Sequence, residues 1–177
     1  MKHICATLLL LCSSPIQESD RAFINEVKEC AIEYNSMSHE VDRIPVILVI
    51  AQAIHESDWG KSRFAVEGNN LFGIKALEGE NFVRAKSGKK VKSYHTKCDS
   101  VNDYMELLTT SYHYEEFQKE LENQWFIDRG DVYAIIQHLD NYAEDKDYEN
   151  KIKKIIQQLE RELQQNGRHE TTNKFSF

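Results

Sequence analysis

The sequence predicts a mainly α-helical (α+β) domain that carries one small β-hairpin lobe. Apolar residues recur at helical spacing through most of residues 19–165, and that period vanishes only between Leu71 and Thr96. No internal repeat or proline-rich linker divides this stretch, so it reads as one domain. At 177 residues the chain is long enough to bury a sizeable core. A hydrophobic content of 41% with 29% charged residues fits an ordinary globular domain rather than a disordered or membrane-embedded one.

The first element is a leader, residues 1–18. Lys2 and His3 precede an apolar run, Ile4 to Cys12, and then the small residues Ser13 and Ser14. This order of charged, apolar and small residues matches a secretory signal, and the run is too short to span a bilayer as a helix. Two cleavage chemistries fit. Pro15 sits badly for a conventional cut after Ser14. Cys12 would instead be a lipid-anchored N-terminus, although Leu11 is larger than such a site prefers. Either way the expected destination is the cell envelope.

The helices follow. Phe23, Val27, Cys30, Ala31 and Tyr34 form the stripe of a helix over residues 20–35, with Ser19 or Asp20 as its cap. Pro45 opens the next helix. Val46 to Ala51 are apolar on every face and continue through Gln52 and Glu56 to Trp59-Gly60, the pattern of a helix buried all round. A short helical piece is expected over residues 62–67, before the Gly68-Asn69-Asn70 turn. Phe82, Val83, Val91 and Tyr94 flank Ser87-Gly88 as a hairpin. Ser100 with Asp103 reads as a capping-box variant opening a helix striped by Val101, Tyr104, Met105 and Leu108. Further stripes are Tyr114, Phe117, Leu121 and Trp125, then Val132, Ile135, Ile136 and Leu139, then Tyr148 through Leu163. A polar tail, residues 166–177, closes the chain.

Charge narrows the function. A net charge of −7 excludes a nucleic-acid partner, which needs a concentrated basic surface. The one dense basic cluster, Arg84 with Lys86, Lys89, Lys90 and Lys92, reads as a solvated hairpin tip. Cys5 and Cys12 belong to the leader, which leaves Cys30 and Cys98. Two readings stay open for them: a disulfide in an oxidising compartment, or a buried free thiol at Cys30. No cysteine or histidine spacing indicates a metal site, no cofactor motif occurs, and a monomer is expected.

Glu56 is the candidate catalytic group. It stands at the C-terminal end of the buried helix, where the helix dipole and apolar neighbours such as Trp59 disfavour a carboxylate and raise its pKa. An acid that must hold its proton near neutral pH needs that environment. His55-Glu56 does not begin a zinc-protease motif, because the position of the second histidine is Trp59.

The run from Ala51 to Ala65 (AQAIHESDWGKSRFA), with Asn69-Asn70-Leu71-Phe72-Gly73-Ile74-Lys75, resembles glycoside hydrolase family 73, the bacterial endo-β-N-acetylglucosaminidases. Ser93-Tyr94-His95-Thr96 and Asn141-Tyr142-Ala143 with Asp147-Tyr148 extend the similarity over about residues 20–165, and the short middle lobe is similar to the Bax-protein branch. The resemblance implies a lysozyme-like fold and hydrolysis of the β-1,4 bond after N-acetylglucosamine in peptidoglycan, with glycan strands as the partner. It also implies Glu56 as general acid, Tyr142 as an active-site tyrosine, and Asn70, Phe72 and Trp59 as substrate-binding residues. Three positions depart from the family pattern: Asp58 and Asn141 replace glycines, and Glu144 replaces a threonine. The family's β-lobe carboxylate motif is absent. Its role falls to Glu80 or Glu78, or to the N-acetyl group of the substrate.

Overall fold

A computed structural model describes residues 16–127, 130–139, 142 and 145–166, with side chains to 164. Seven α-helices and one two-stranded antiparallel sheet are found among them: α1 (Glu18–Met37), α2 (Val46–Ser57), α3 (Arg63–Gly68), β1 (Phe82–Arg84), β2 (Lys90–Lys92), α4 (Lys97–Thr110), α5 (Glu115–Phe126), α6 (Val132–Ile136) and α7 (Tyr148–Asn166). Most of the leader, including Cys5 and Cys12, lies outside the described residues, as does the tail beyond Asn166.

Helix α2 is the axis of the domain. Its residues Leu48 to Ile54 are all buried, and it packs between α1 and α7. α1 also packs on α4, so the stripes read from the sequence converge on one core. Phe23, Val27, Leu48, Tyr104, Met105, Leu108, Phe117, Ile135 and Ile152 are each at most 5% exposed. Burial on this scale is the dominant stabilising contribution to the fold.

Local chemistry ends α2 sharply. Asp58, Trp59 and Gly60 all take positive φ, a reversal rarely adopted by non-glycine residues. Ser57 holds it in place: its hydroxyl donates to the Ala53 carbonyl at 2.5 Å and accepts from the Gly60 amide at 2.7 Å, and its carbonyl accepts from Ser62 at 2.8 Å. At Gly60 a Cβ would stand 2.7 Å from the Phe23 ring, so the glycine serves both the backbone turn and the approach of α1. Ser62 then caps α3 by accepting from Ala65 at 3.3 Å.

The hairpin forms where alternation predicts it, with Val83 opposite Val91. Two caps differ from expectation. α1 begins after Gln17, which makes no side-chain cap, and Ser19 and Asp20 fall inside the first turn. α4 begins four residues earlier than the Ser100 reading, with a full capping box between Thr96 and Asp99. The two displaced residues serve long-range contacts instead. Ser100 accepts from the Leu71 amide at 3.0 Å, and Asp103 accepts from the Tyr94 hydroxyl at 2.6 Å.

Of the two readings left open for the cysteines, the disulfide holds: Cys30 on α1 and Cys98 on α4 are joined, their Cα atoms 5.1 Å apart. Helix packing brings together two residues that are 68 apart in sequence.

Candidate active site

Glu56 lies one residue before the end of α2 and is half-buried. Burial raises its pKa above the ordinary carboxylate range, while His55 beside it and the Tyr148 hydroxyl pull the other way. Desolvation is the largest of these influences. Asp58, beyond the helix end, is exposed.

Four aromatic side chains form a connected cluster with His55 of α2. Tyr148, at the start of α7, meets the His55 ring edge-on at 5.5 Å and the Tyr142 ring at 5.6 Å. Tyr142 contacts Tyr104 of α4 edge-on at 5.7 Å, and Tyr104 stacks on Phe72 at 3.9 Å. The Tyr142 hydroxyl donates to the Phe72 carbonyl at 2.8 Å. Burial holds the hydroxyls of Tyr104, Tyr142 and Tyr148 well above the usual phenol range, and the Glu56 carboxylate adds to this for all three. They therefore remain protonated donors throughout the physiological range.

Hydrogen bonds link these groups through Gln52. This residue is wholly buried on α2, one helical turn before Glu56. The Tyr104 hydroxyl donates to its Oε1, and its Nε2 donates to the Tyr148 hydroxyl at 2.9 Å. The Tyr148 hydroxyl also acts on Glu56, lowering its pKa against the effect of burial. Sequence reasoning treated Tyr104 and Tyr148 as core stripe and passed over Gln52. The signal was present: an amide in a helix that is otherwise apolar all round must find buried partners.

The candidate substrate-binding residues take different places. Asn70 is 2% exposed and its side chain is fully engaged. Its Oδ1 accepts from the amides of Phe72, Gly73 and Ile74 at 3.2, 2.7 and 3.2 Å, and its Nδ2 donates to the carbonyls of Ile74 and Lys92 at 3.0 and 2.8 Å. Phe72 is 4% exposed beneath Tyr104. Both side chains build the loop that presents the Phe72 carbonyl to Tyr142, and neither offers a face to a ligand. Asn70→Ala would strand three amides, and the expected result is a loss of about 2–4 kcal/mol in urea unfolding, with any surviving activity showing an unchanged KM. Trp59 is partly buried and packs at the edge of the core, following Glu56 through the α2 reversal.

Glu80 belongs to a cluster in the lobe. Its carboxylate accepts from the Leu77 amide at 2.7 Å and pairs with Lys92 at 2.8 Å, and Lys92 also reaches Asp103 at 2.8 Å. These partners, Lys92 first, hold the Glu80 pKa below the usual range and keep it ionised. Glu78 is exposed. Among the described residues, no group of three or more His, Cys, Asp or Glu side chains is arranged to hold a metal ion.

A mostly helical domain with one small two-stranded lobe is the arrangement of the lysozyme-like domains. Solved structures with this fold include a peptidoglycan hydrolase from Sphingomonas sp. A1 (TM-score 0.64, 22% identity, covering 87% of this chain and 97% of that one). The catalytic domain of the autolysin Auto from Listeria monocytogenes is similar too (TM-score 0.62, 21% identity, 85% and 89% covered). Residues 31–161 match the glucosaminidase family described as mannosyl-glycoprotein endo-beta-N-acetylglucosaminidase, and the chain belongs to that family, glycoside hydrolase family 73. Among curated relatives, the exo-glucosaminidase LytG of Bacillus subtilis is 29% identical over 84% of this chain and 57% of its own length. Protein bax of Escherichia coli is 34% identical over 50% of this chain and 32% of its own length, and the peptidoglycan hydrolase FlgJ of Vibrio parahaemolyticus is 27% identical over 81% and 48%. The chain spans about half or less of the length of these relatives.

Proposed function

We propose that this glycosidase cuts the β-1,4 bond on the reducing side of N-acetylglucosamine in peptidoglycan strands, with Glu56 as its general acid. The observation that carries this reading is the Glu56 carboxyl, desolvated at the end of α2 and open to solvent on one side. Peptidoglycan as substrate is supported by relatives and structural neighbours described as peptidoglycan hydrolases.

In this reading the protonated Glu56 donates its proton to the glycosidic oxygen as the C1–O bond breaks. The leaving sugar departs as an alcohol, and positive charge develops at C1. Water then adds to C1 and loses a proton. Tyr142 orients substrate or water. Glu80, ionised on the lobe, is the proposed second carboxylate. Its replacement, Glu80→Gln, is expected to lower kcat about 100-fold with little change in Tm. Activity equal to wild type would transfer the role to the N-acetyl group of the substrate.

Envelope residence is the companion proposal, supported by the Cys30–Cys98 disulfide, a bond that persists in oxidising compartments. Mass spectrometry of digested, purified sacculi tests the bond specificity. Fragments with reducing-end N-acetylglucosamine are expected. Reducing-end or anhydro-muramic acid would overturn the assignment in favour of lysozyme or transglycosylase chemistry.

A further inference from the structure

We infer that the outer face of the β1–β2 hairpin binds the carboxylates of the stem peptides that peptidoglycan strands carry, with Arg84 and Lys90 at its centre and Lys86 and Lys89 at its tip. This inference rests on the proposed action on peptidoglycan and adds the part of the polymer that the lobe grips.

Strand register builds the face. Side chains alternate across a strand, and the pairs Phe82–Lys92 and Arg84–Lys90 stand on one side of the sheet. Val83 and Val91, the pair between them, turn to the other side, where Val91 is buried and Val83 packs against Gly68 of α3. Arg84, Lys86, Lys89 and Lys90 are exposed. Residues 82–92 hold these four cations, Lys92 and no acidic residue. Without those five cations the rest of the chain carries −12, against −7 for the whole. The hairpin is thus a positive island on an acidic protein.

A like-charge pair on this island points to a ligand. Arg84 faces Lys90 in register, and like charges directly opposite in an antiparallel pair destabilise it. Both lean on one ring, the Arg84 guanidinium carbon 5.3 Å and Lys90 Nζ 4.7 Å from the centre of Phe82, which is 39% exposed. Among the described residues no carboxylate forms an ion pair with Arg84, Lys86, Lys89 or Lys90. An anion between Arg84 and Lys90 relieves their repulsion, and the guanidinium fork matches a carboxylate. The turn is set beforehand. Arg63 donates to the Arg84 carbonyl at 3.1 Å, Arg84 to the Gly88 carbonyl at 3.3 Å, and the Gly88 amide to the Ala85 carbonyl at 2.9 Å. Cations held in place lose little freedom on binding.

Position selects the wall peptides as the source of the anion. Lys92 lies on the same face and bonds at 2.8 Å to Glu80, the carboxylate proposed to serve the reacting sugar, and at 2.8 Å to Asp103. Those two carboxylates neutralise Lys92, which anchors the face to α4. A strand held at Glu80 runs beside Arg84 and Lys90, and its alternate sugars bear peptides that end in carboxylates.

The test compares wild type with a variant carrying Arg84→Gln, Lys86→Gln, Lys89→Gln and Lys90→Gln on two soluble substrates. One is peptidoglycan strands with their stem peptides, and the other is the same strands stripped of peptides by an amidase. On peptide-bearing strands the KM of the variant is expected to rise about fivefold or more with kcat within about twofold, because exposed charges contribute little singly and act here together. On stripped strands the two proteins should agree. Salt at about 0.5 M should remove the difference by screening. Tm should not fall, since neutralising Arg84 and Lys90 removes a like-charge pair. Should it fall, Lys86→Gln with Lys89→Gln, confined to the tip, makes the same comparison. An equal KM shift on both strands, or none on either, overturns the inference. So does unchanged KM with loss of binding to phosphatidylglycerol vesicles, which assigns the face to phosphate headgroups. Should wild type cut neither substrate, the proposed activity fails, and equilibrium binding to the two strand preparations decides the hairpin. A preference for peptide-bearing strands that the variant lacks supports the site, and equal binding overturns it.

Discussion

Glu56→Gln is expected to reduce hydrolysis of sacculi by about 10³-fold or more, within the range general-acid catalysis contributes, while binding to the glycan stays close to wild type. The amide has nearly the volume of the carboxyl but has no proton to give to the leaving oxygen. The same substitution has a second consequence for stability. The fold raises the Glu56 pKa, so the folded state disfavours the ionised form that dominates in the unfolded chain at neutral pH. A carboxyl whose folded pKa exceeds its unfolded value carries no penalty below about pH 4, where both states hold the proton. The penalty appears as pH rises through the unfolded value and is complete above the folded one. Thermal unfolding of Glu56→Gln beside wild type should therefore coincide in acid and show the variant more stable at neutral pH. Full activity in the variant would refute the acid assignment, and equal Tm at neutral pH would refute the desolvation that underlies it.

The second large effect is on stability. Cys30 and Cys98 close a loop across 68 positions, and a cross-link of that span contributes about 4 kcal/mol in the chain-entropy account. Replacing both residues with alanine, or reducing the protein, should lower the urea midpoint accordingly and the Tm by about 10 °C. The damage should also reach the site, because the bond ties α1 to α4 and α4 carries Tyr104. Two titratable thiols in the native protein, or a Tm insensitive to reductant, would contradict this expectation.

Much of the architecture was legible before any coordinates. Periodicity located the helices because each apolar stripe is the face that must leave water, and the loss of that period marked the lobe. The place of Glu56 on α2 followed from chain order alone, and burial supplied the raised pKa expected of it. Misplaced readings share one character. Ser100 and Asp103 have the residue types of a cap, yet they bond to Leu71 and Tyr94 across the fold, and Thr96 with Asp99 caps α4. Asn70 has the look of a ligand-binding side chain, yet it spends every polar atom on its own loop and on β2.

Chain order thus settled the helices, the lobe and the place of Glu56 at the end of α2, since those depend on neighbours within a turn or two. The cysteine pair, the commitment of Asn70 and the link from Tyr104 through Gln52 to Tyr148 were left to tertiary packing. Each joins residues from separate elements. A polar group does not reveal in one dimension which distant partner will satisfy it; only the close approach of the helices supplies that partner.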